Sequence, residues 1–362
     1  MPGRFEGWGG GVNILHIEDE PWDSGMAHYA VTLAVLQASR GHRVEFWGRA
    51  ASPVLSEARR LGLAVRGWTG GAAGLLTWGS QRRAAGVFCP RVINAHTGSA
   101  HSLALALAAR RPCAVVRTRG DARAPKAGAL TRFVAARTDA FIAVNRSLEA
   151  ALKSAFPEAK VARVAQGIEG PSQVASLPAA PVVGMIARLD PIKGHETLIG
   201  AIARLKPKIP GLRVRCAGEG RLFAHLREKV TIAGLAGVVE FPGRVADPWA
   251  FMAACRVGVV ASLGSEAVSR AALEWMASGR AVAASHVGGI PDLLEDGVTG
   301  LLVPPGDAGA LAGALAALLL DPKKVETLGR AGRTRWENEF APNVFYEATQ
   351  RVYDEATAHL PS

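Results

Sequence analysis

The most constraining feature of this 362-residue sequence is an alternation of short apolar runs with helix-like stretches, which occurs in two series. The helix-like stretches of the first series include residues 26–40, 101–110 and 147–155. Its apolar runs lie at 12–17, 44–47, 92–95, 114–116, 141–144 and 161–164. Strands that alternate with helices pair in parallel through right-handed crossovers, so this half predicts a mostly parallel sheet.

A stretch rich in proline, serine and alanine at 170–181 interrupts the alternation and predicts a linker. The second series of apolar runs lies at 182–186, 213–217, 238–241, 257–261 and 281–284. Because the chain is longer than one core usually organises, we expect an α/β fold of two Rossmann-like domains facing each other across a cleft. The predicted domains are residues 1–178 and 179–340, and the chain looks helical from 322 to its end.

Composition argues against several other classes of protein. Hydrophobic residues make up 49% of the chain, which favours a globular over a disordered protein. No apolar run reaches the ~18 to 20 residues that span a bilayer, and residues 1–11 lack the apolar core of a signal peptide. The four cysteines are scattered without the spacing of a metal site or a disulfide framework, so we expect a reducing cytoplasm.

Two carboxylates, Glu266 and Glu274, follow the apolar run at 257–261. If both stand on one helix, their separation is a rise of ~12 Å and roughly 80° around the axis. Both side chains can then line one cleft and touch different parts of a long ligand, such as a nucleotide-sugar. A glutamate in a first helical turn also commonly complements the helix dipole, so the pair alone does not define a site.

Two cations follow the run at 182–186, where ligands of open parallel sheets bind. Arg188 offers forked donors to phosphate oxygens and Lys193 a mobile point charge. Fixed cations lower the barrier to departure of a nucleoside diphosphate, although two solvated surface cations are the alternative. Gly218, in Gly218-Glu219-Gly220, begins either a turn beneath a nucleotide or an ordinary strand-to-helix turn.

The order of these motifs, continued by Phe241-Pro-Gly243 and Gly288-Gly-Ile-Pro, resembles glycosyltransferase family 4, the group 1 glycosyltransferases of GT-B architecture. The resemblance is strong in the C-terminal half and weak in the N-terminal half. It implies a retaining transfer from a nucleotide-sugar that requires no metal, and a C-terminal helix at 341–362 that packs back on the first domain. It also implies that Glu274 binds the ribose hydroxyls, that Glu266 contacts the transferred sugar, and that residues 241–244, which end at Arg244, pack on the base.

Three departures from the family pattern bear on the expected site. Only Gly25 remains of two glycines that open the helix after the first strand, where N-terminal amides can face the diphosphate or the sugar. The usual Gly-Phe-Gly after the first glutamate is Ala267-Val268-Ser269 here; the amides of Val268 and Ser269 can still face phosphate, but sugar specificity cannot be carried over. Gln166 stands where the family has asparagine.

His96, at the end of the run at 92–95, is expected to touch sugar or acceptor hydroxyls, with a structural histidine as the alternative. The expected catalytic residues are thus Arg188, Lys193, Glu266 and His96. The expected donor-binding residues are Gly25, Arg188, Lys193, Gly218, Arg244, Glu266, Val268, Ser269 and Glu274. No metal site is expected, because the acidic triplet at 18–20 is interpreted as a solvated loop.

Positive charge is concentrated in the first predicted domain. Residues 1–178 hold 22 Lys+Arg against 12 Asp+Glu, whereas 179–362 hold 20 against 19. Within the basic segment 110–137, Arg117 and Arg119 end a strand and are expected to face the acceptor side of the cleft. Basic surfaces attract anionic lipid at ~1 kcal/mol per cation. We therefore expect peripheral contact with the inner face of the cytoplasmic membrane and an anionic lipid-linked acceptor, such as a lipopolysaccharide core or a related surface glycan; a generally arginine-rich composition is the alternative.

Other functions also fit parts of the sequence. A sequence pI near 10.0 suggests nucleic-acid binding, but the basic segment lacks interleaved aromatic residues. A dehydrogenase would have G-x-G-x-x-G after the first strand, and here the glycines at 7–11 precede it. A nucleotide-sugar epimerase or a sugar phosphorylase on the same architecture remains open.

Overall fold

The structure of the protein, a computed structural model, describes residues 11–22, 24–68, 77–121, 125, 128–264 and 266–361. The chain divides into two compact units, one formed by Met1–Gly167 with Pro342–Ser362 and the other by Ile168–Ala341. Each unit contains one parallel sheet with its own helices. The expectation of two α/β domains of Rossmann-like type is confirmed.

The first unit is built on a parallel sheet of seven strands in the order β3-β2-β1-β4-β5-β6-β7. The strands are β1 (Asn13–Glu18), β2 (Arg43–Arg49), β3 (Ala64–Trp68), β4 (Val92–Ala95), β5 (Ala114–Arg119), β6 (Ala140–Ala143) and β7 (Val161–Arg163). The helices between them are α1 (Gly25–Ser39), α2 (Pro53–Arg60), α3 (Trp78–Phe88), α4 (Gly98–Ala108), α5 (Ala129–Ala135) and α6 (Arg146–Ala155). The strand order reverses between β1 and β4, so their carboxyl ends form the switch point at which such sheets bind ligands.

The second unit has a parallel sheet of six strands in the order β10-β9-β8-β11-β12-β13, with its switch point between β8 and β11. The strands are β8 (Val182–Ile186), β9 (Arg213–Ala217), β10 (Val239–Gly243), β11 (Val257–Val260), β12 (Ala281–Ser285) and β13 (Leu301–Val303). The helices are α7 (His195–Leu205), α8 (Phe223–Ile232), α9 (Pro248–Ala253), α10 (Arg270–Ala277), α11 (Ile290–Leu293), α12 (Ala308–Leu319) and α13 (Pro322–Arg335). A 3₁₀ turn, Pro191–Lys193, precedes α7, and a π-helical turn, Trp336–Phe340, ends this unit.

The last helix, α14 (Pro342–Thr357), belongs to the first unit. The Tyr29 ring packs edge-on against Phe345, with centroids 4.8 Å apart. The Tyr353 hydroxyl accepts a hydrogen bond from Asn94 Nδ2 at 2.7 Å. Because all four side chains are buried at 1% exposure or less, α14 completes the core of this unit.

Helix α10 is held against its sheet by the indole of Trp275. A Cβ on Gly184 or Gly258 would lie 2.6 or 2.3 Å from indole atoms, so glycine in β8 and β11 makes room for the ring. Trp275 is fully buried. The packing fixes the helix that carries Glu274.

Three expectations differ from the structure. Strand β3 was not expected, because it is an edge strand of mostly exposed or half-buried residues with no continuous apolar run. Strand β13 was not expected either, and it pairs in parallel with β12. Residues 168–178 pack on the second unit, since Arg280 donates to the carbonyls of Ala175 and Ser176 at 3.0 and 3.1 Å. The unit boundary therefore lies at Gly167, before the expected linker.

Candidate functional site

Lys193 and Glu266 meet at the switch point of the second unit. Lys193 Nζ lies 2.5 Å from Glu266 Oε1, and Ser262 Oγ donates to the same oxygen at 2.6 Å. The carboxylate is buried, with a relative exposure of 5% for Glu266. A buried carboxylate is stable only with such partners, because it has lost its water. The structure thus joins an expected cation to an expected carboxylate.

Glycines from two separate motifs position the loop that carries Glu266. A Cβ on Gly194, whose φ is +70°, would lie 1.9 Å from the carbonyl oxygen of Ala261. A Cβ on Gly288, with φ +60°, would lie 2.3 Å from the carbonyl oxygen of Glu266, and Gly289 N–H donates to that oxygen at 2.6 Å. The Lys-Gly and Gly-Gly motifs therefore both contact the backbone of the segment that carries Glu266.

The expectation that both glutamates stand on one helix is wrong. Helix α10 begins at Arg270, and the Glu266 carbonyl accepts from Gly289 rather than starting a helical turn. The expected rise and angle between the two side chains therefore do not apply. Glu274 does lie on the second turn of α10; it is 7% exposed and accepts a hydrogen bond from Arg270 Nε at 2.6 Å.

Arg188 shares its loop with Lys193 but remains accessible. Its side chain is 62% exposed and lies 3.4 Å from Asp190. Arg221, which the sequence analysis missed, approaches the same carboxylate at 3.4 Å. Exposed pairs of this kind contribute little, so both guanidinium groups can turn to an anionic ligand. The position of Arg221 directly after Gly220 is the signal that could have identified it.

The other expected donor-binding residues of this unit follow strand ends. Gly218 has φ +138°, and a Cβ there would lie 2.0 Å from the Ala187 carbonyl oxygen, so the close approach of two loops requires glycine. Arg244 is exposed after β10. Val268 is half-buried, and buried Ser269 caps α10 without a side-chain hydrogen bond to its backbone.

In the first unit, Gly25 opens α1 after the N-cap Ser24, whose Oγ accepts from Ala27 N–H at 3.0 Å. Ser24 Oγ also donates to the carboxylate of Glu20. The helix N-terminus therefore follows the carboxyl end of β1, as expected. Asp23, part of the same sequence motif, lies outside the described residues.

Glu18, the last residue of β1, is fully buried, so the expectation of a solvated acidic loop is wrong for this residue. Glu20 N–H donates to its Oε1 at 2.8 Å. Its Oε2 has no hydrogen-bond partner within the described part of the chain. Burial raises the pKa of Glu18 to about 8, and the neighbouring charges of Glu20 and Asp19 add to this. A carboxyl group that keeps its proton at neutral pH can donate a hydrogen bond.

His96 directly follows β4 and is 3% exposed. Its Nε2 lies 3.0 Å from His16 Nδ1, and His16 Nε2 lies 2.7 Å from Gln37 Oε1. His96 Nδ1 is buried without a hydrogen-bond partner among the described residues. Burial, and then the nearby His16 and Arg117, hold the pKa of His96 well below its ordinary value, so the ring is neutral at physiological pH.

The two expected acceptor-side arginines are largely buried. Arg117 is 5% exposed and donates to the carbonyl oxygens of Ala95, at 3.0 Å, and Thr118. Burial lowers its pKa to about 10, which leaves it charged at neutral pH. Arg119, with a side chain 14% exposed, pairs with Asp121 at 2.5 Å. Arg117 therefore joins neighbouring strands instead of presenting a free cation, because its guanidinium is turned to the backbone.

Across the described ranges, no three His, Cys, Asp or Glu side chains are grouped so that they could hold a metal ion.

Two family profiles match successive halves of the chain. Residues 24–169 match the family described as Glycosyltransferase Family 4, and residues 180–321 match Glycosyl transferases group 1. The two matches together include Lys193, Glu266 and Glu274 in the second unit and His96 in the first.

Curated relatives match over part of their length. A GDP-mannose-dependent alpha-(1-6)-phosphatidylinositol monomannoside mannosyltransferase of Mycolicibacterium smegmatis is 33% identical over 162 residues, which is 42% of each chain. The lipopolysaccharide core biosynthesis glycosyltransferase LpsE of Rhizobium meliloti is 32% identical over 169 residues, which is 47% of this chain and 48% of LpsE. The chain thus spans less than half the length of these two relatives.

A solved structure shares the fold over nearly the whole chain. The Anabaena protein HepE, solved in complex with UDP, superposes with a TM-score of 0.80 at 20% identity, covering 94% of this chain and 98% of HepE. Together with the two profile matches and the paired parallel-sheet units, this places the chain in glycosyltransferase family 4, the group 1 glycosyltransferases.

Proposed function

We propose that this protein transfers a sugar from a nucleoside-diphosphate sugar to a glycan or lipid-linked acceptor. The observation that carries the proposal is the Lys193–Glu266 pair at the β8–β11 switch point, with Glu274 on the next helix. Cations suit a diphosphate, and carboxylates suit the hydroxyls of ribose and sugar. Membership of family 4 and the UDP complex of HepE support this assignment.

In the proposed reaction, the acceptor hydroxyl attacks the anomeric carbon while the bond from that carbon to the phosphate oxygen breaks. The hydroxyl proton passes to an oxygen of the departing phosphate. Lys193 and Arg188 stabilise the negative charge that grows on the bridging oxygen. We propose that the configuration is retained, because attack on the face from which the phosphate leaves brings the proton to its acceptor.

The proposal assigns no metal ion to the transfer, because Lys193 and Arg188 supply positive charge to the phosphates. Turnover in excess EDTA should therefore equal turnover with added Mg²⁺ or Mn²⁺. A loss of activity on chelation that a divalent metal restores would contradict this part of the proposal.

For the acceptor, we propose an anionic lipid-linked glycan reached at the inner face of the cytoplasmic membrane. On α5 and just after it, Leu130 and Phe133 are 76% and 54% exposed, Arg132 and Arg137 are also exposed, and the Arg137 guanidinium lies 3.5 Å from the centre of the Phe133 ring. Exposed apolar side chains flanked by arginine suit an anionic bilayer surface. Lys126 and Arg123 of the basic segment lie outside the described residues. Among the helices of the described ranges, none is both long enough and apolar enough to cross a membrane.

Vesicle sedimentation tests this placement. The full chain should bind vesicles containing phosphatidylglycerol more strongly than phosphatidylcholine vesicles, and an Arg132→Glu, Arg137→Glu variant should lose that preference. A matched reversal in the other unit, Arg204→Glu, Arg227→Glu, changes exposed residues and serves as the control. Equal binding to both kinds of vesicle would contradict the membrane placement.

The donor is tested with a panel of UDP-, GDP- and ADP-sugars. A ligand at 100 times its Kd stabilises the folded protein by about 2.7 kcal/mol, which a thermal shift detects. The labelled sugar of the stabilising donor should then be transferred to an acceptor, or to water as free sugar. In both cases the nucleoside diphosphate is released. Conversion of the donor to its epimer, consumption of phosphate, or reduction of a nicotinamide would point instead to the epimerase, phosphorylase or dehydrogenase alternative.

A further inference from the structure

The loop between β1 and α1 presents an exposed tryptophan. Trp22 is 60% exposed, whereas the other tryptophans that the structure describes are buried or half-buried. Its indole has no aromatic or cation–π partner among the described residues. Single exposed apolar residues are common on protein surfaces, so the place of Trp22 in the fold decides its meaning. The loop follows the carboxyl end of β1, at the switch point where such sheets bind ligands.

Hydrogen bonds on both sides of Trp22 hold this loop in place. Before the tryptophan, Glu20 N–H donates to Glu18 Oε1 at 2.8 Å. After it, Ser24 Oγ accepts from Ala27 N–H at 3.0 Å and donates to the Glu20 carboxylate, so the two ends of the loop are joined. An indole on a fixed backbone loses little conformational freedom when a ligand covers it, which favours a binding contact.

The charges around the loop disfavour an anionic ligand. Residues 19–23 contain three acidic side chains and no lysine or arginine. Arg117 of β5 donates to backbone carbonyl oxygens, and Arg119 pairs with Asp121 at 2.5 Å. A phosphate, a nucleotide or an anionic bilayer surface would therefore meet like charge at Trp22.

An uncharged sugar ring matches both the indole and the acidic side chains. One face of such a ring carries C–H groups that can cover an aromatic surface, and its hydroxyls donate hydrogen bonds to carboxylates. The half-buried carboxylate of Asp19 accepts from Ser99 Oγ at 2.6 Å and from Thr97 Oγ1, and that of Glu20 accepts from Ser24. Each carboxylate oxygen has lone pairs for a second hydrogen bond.

We propose that Trp22 is a specificity-determining residue of the acceptor site, and that its indole stacks on an uncharged sugar ring at the end of the acceptor. The acceptor is assigned to this loop because the donor is assigned to Lys193 and Glu266 in the second unit. This inference rests on the proposed function, since it presumes transfer to a carbohydrate. The phosphate groups of an anionic lipid-linked acceptor then lie away from the loop.

Nitrogen-15 NMR of the tryptophan-labelled full chain tests the contact first. The indole resonance of Trp22 is the one that Trp22→Ala lacks. It should move when methyl glycosides of glucose, galactose or mannose are added with UDP or GDP, and move less with glucose 6-phosphate or mannose 6-phosphate. Val87→Ala, which shortens a 76% exposed apolar side chain of the same unit, should leave these shifts unchanged. No shift with any neutral sugar, or equal shifts with the 6-phosphates at low salt, overturns the proposal.

Transfer kinetics test the role of the contact. Trp22→Ala should raise KM for the methyl glycoside that moves the indole about 10-fold, because the apolar face of the ring loses its cover. The KM for the donor should not change, and Trp22→Phe, which keeps an aromatic face, should restore most of the affinity for the glycoside. Because Trp22 is exposed, Trp22→Ala should unfold in urea at the wild-type midpoint. An unchanged KM for the glycoside, or a raised KM for the donor alone, would contradict the assignment to the acceptor.

Two other results have a separate meaning. If Trp22→Ala lost binding to phosphatidylglycerol vesicles, the indole would be a membrane anchor and the sugar contact would be overturned. If no UDP-, GDP- or ADP-sugar bound or was consumed, the proposed function would fail. The shift of the Trp22 indole with neutral sugars in the free chain would still decide whether the loop binds a sugar ring.

Discussion

At the scale of single residues, Lys193 carries the sharpest prediction about turnover. Its ammonium lies 2.5 Å from a carboxylate and follows the strand end where a diphosphate is expected. Lys193→Met should lower kcat by about 100- to 1000-fold, because a preorganised charge that stabilises the leaving group is lost. Steady-state kinetics with the donor found in the panel measures this, and Lys208→Met, an exposed change on the same unit, is the control. An unchanged kcat in Lys193→Met would show that Lys193 does not stabilise the leaving group.

Glu274 should affect binding more than turnover. It is buried on α10 with Arg270 as a partner, and we expect it to accept hydrogen bonds from ribose hydroxyls. Glu274→Gln should weaken the binding of the nucleoside diphosphate about 10-fold or more, since hydrogen bonds to a charged acceptor are worth ~1.5–3 kcal/mol. Calorimetry with UDP and GDP, compared with Glu337→Gln on the exposed side of the same unit, measures the change. Wild-type affinity would refute the ribose assignment.

Single residues also show where sequence reasoning ends. Lys193, Glu266 and Glu274 could be selected from the sequence, because they occur in motifs whose order indicates the chemistry of a nucleotide-sugar site. Glu18 was interpreted as solvated, since its acidic neighbours Asp19 and Glu20 suggest a loop and only the fold shows its burial. Gln37 was not selected, because a single glutamine inside a largely apolar helix gives no sign that it meets His16, 21 positions away.

At the scale of elements, we expect the turn at Gly288 to hold the backbone of Glu266 in place. Gly288→Ala places a methyl group 2.3 Å from the Glu266 carbonyl oxygen in addition to the strain of positive φ. Gly297→Ala is a matched control, with φ +74° and nothing within 4 Å of the added Cβ. We expect Gly297→Ala to cost about 1 kcal/mol in urea unfolding and Gly288→Ala clearly more, with a lower kcat only in the latter. Equal effects of the two substitutions on stability and kcat would show that the contact between Gly288 and Glu266 does not position Glu266.

The elements themselves were largely predictable from sequence. The strands at 92–95 and 182–186 have the expected bounds, because strands buried on both faces of a parallel sheet are continuous apolar runs. Residues 168–178 were not predictable in this way. Their place on the second unit depends on Arg280, which is 1% exposed and donates to four carbonyl oxygens of distant segments. No local pattern in 170–181 reports such a partner.

At the scale of the whole molecule, buried histidines and buried Glu18 change the free energy of unfolding in opposite directions as pH rises. Burial lowers the pKa of His16 and His195 to about 4 and of His101 to about 3, so between about pH 4 and 6.5 the unfolded chain binds more protons and stability rises with pH. Burial raises the pKa of Glu18 to about 8, so between about pH 4.5 and 8 the folded chain binds more protons and this group lowers stability as pH rises.

The histidines outnumber Glu18 below pH 6.5, and Glu18 acts without them above it, so the free energy of unfolding should be largest near pH 6.5. Each proton contributes a slope of about 1.4 kcal/mol per pH unit where it is fully linked to unfolding. Urea unfolding of the full chain from pH 4.5 to 8.5 measures the profile. His101→Gln should flatten the acid side, and Glu18→Gln should flatten the alkaline side. Stability that rises steadily through pH 8 in the wild type would show that Glu18 is already ionised in the folded protein.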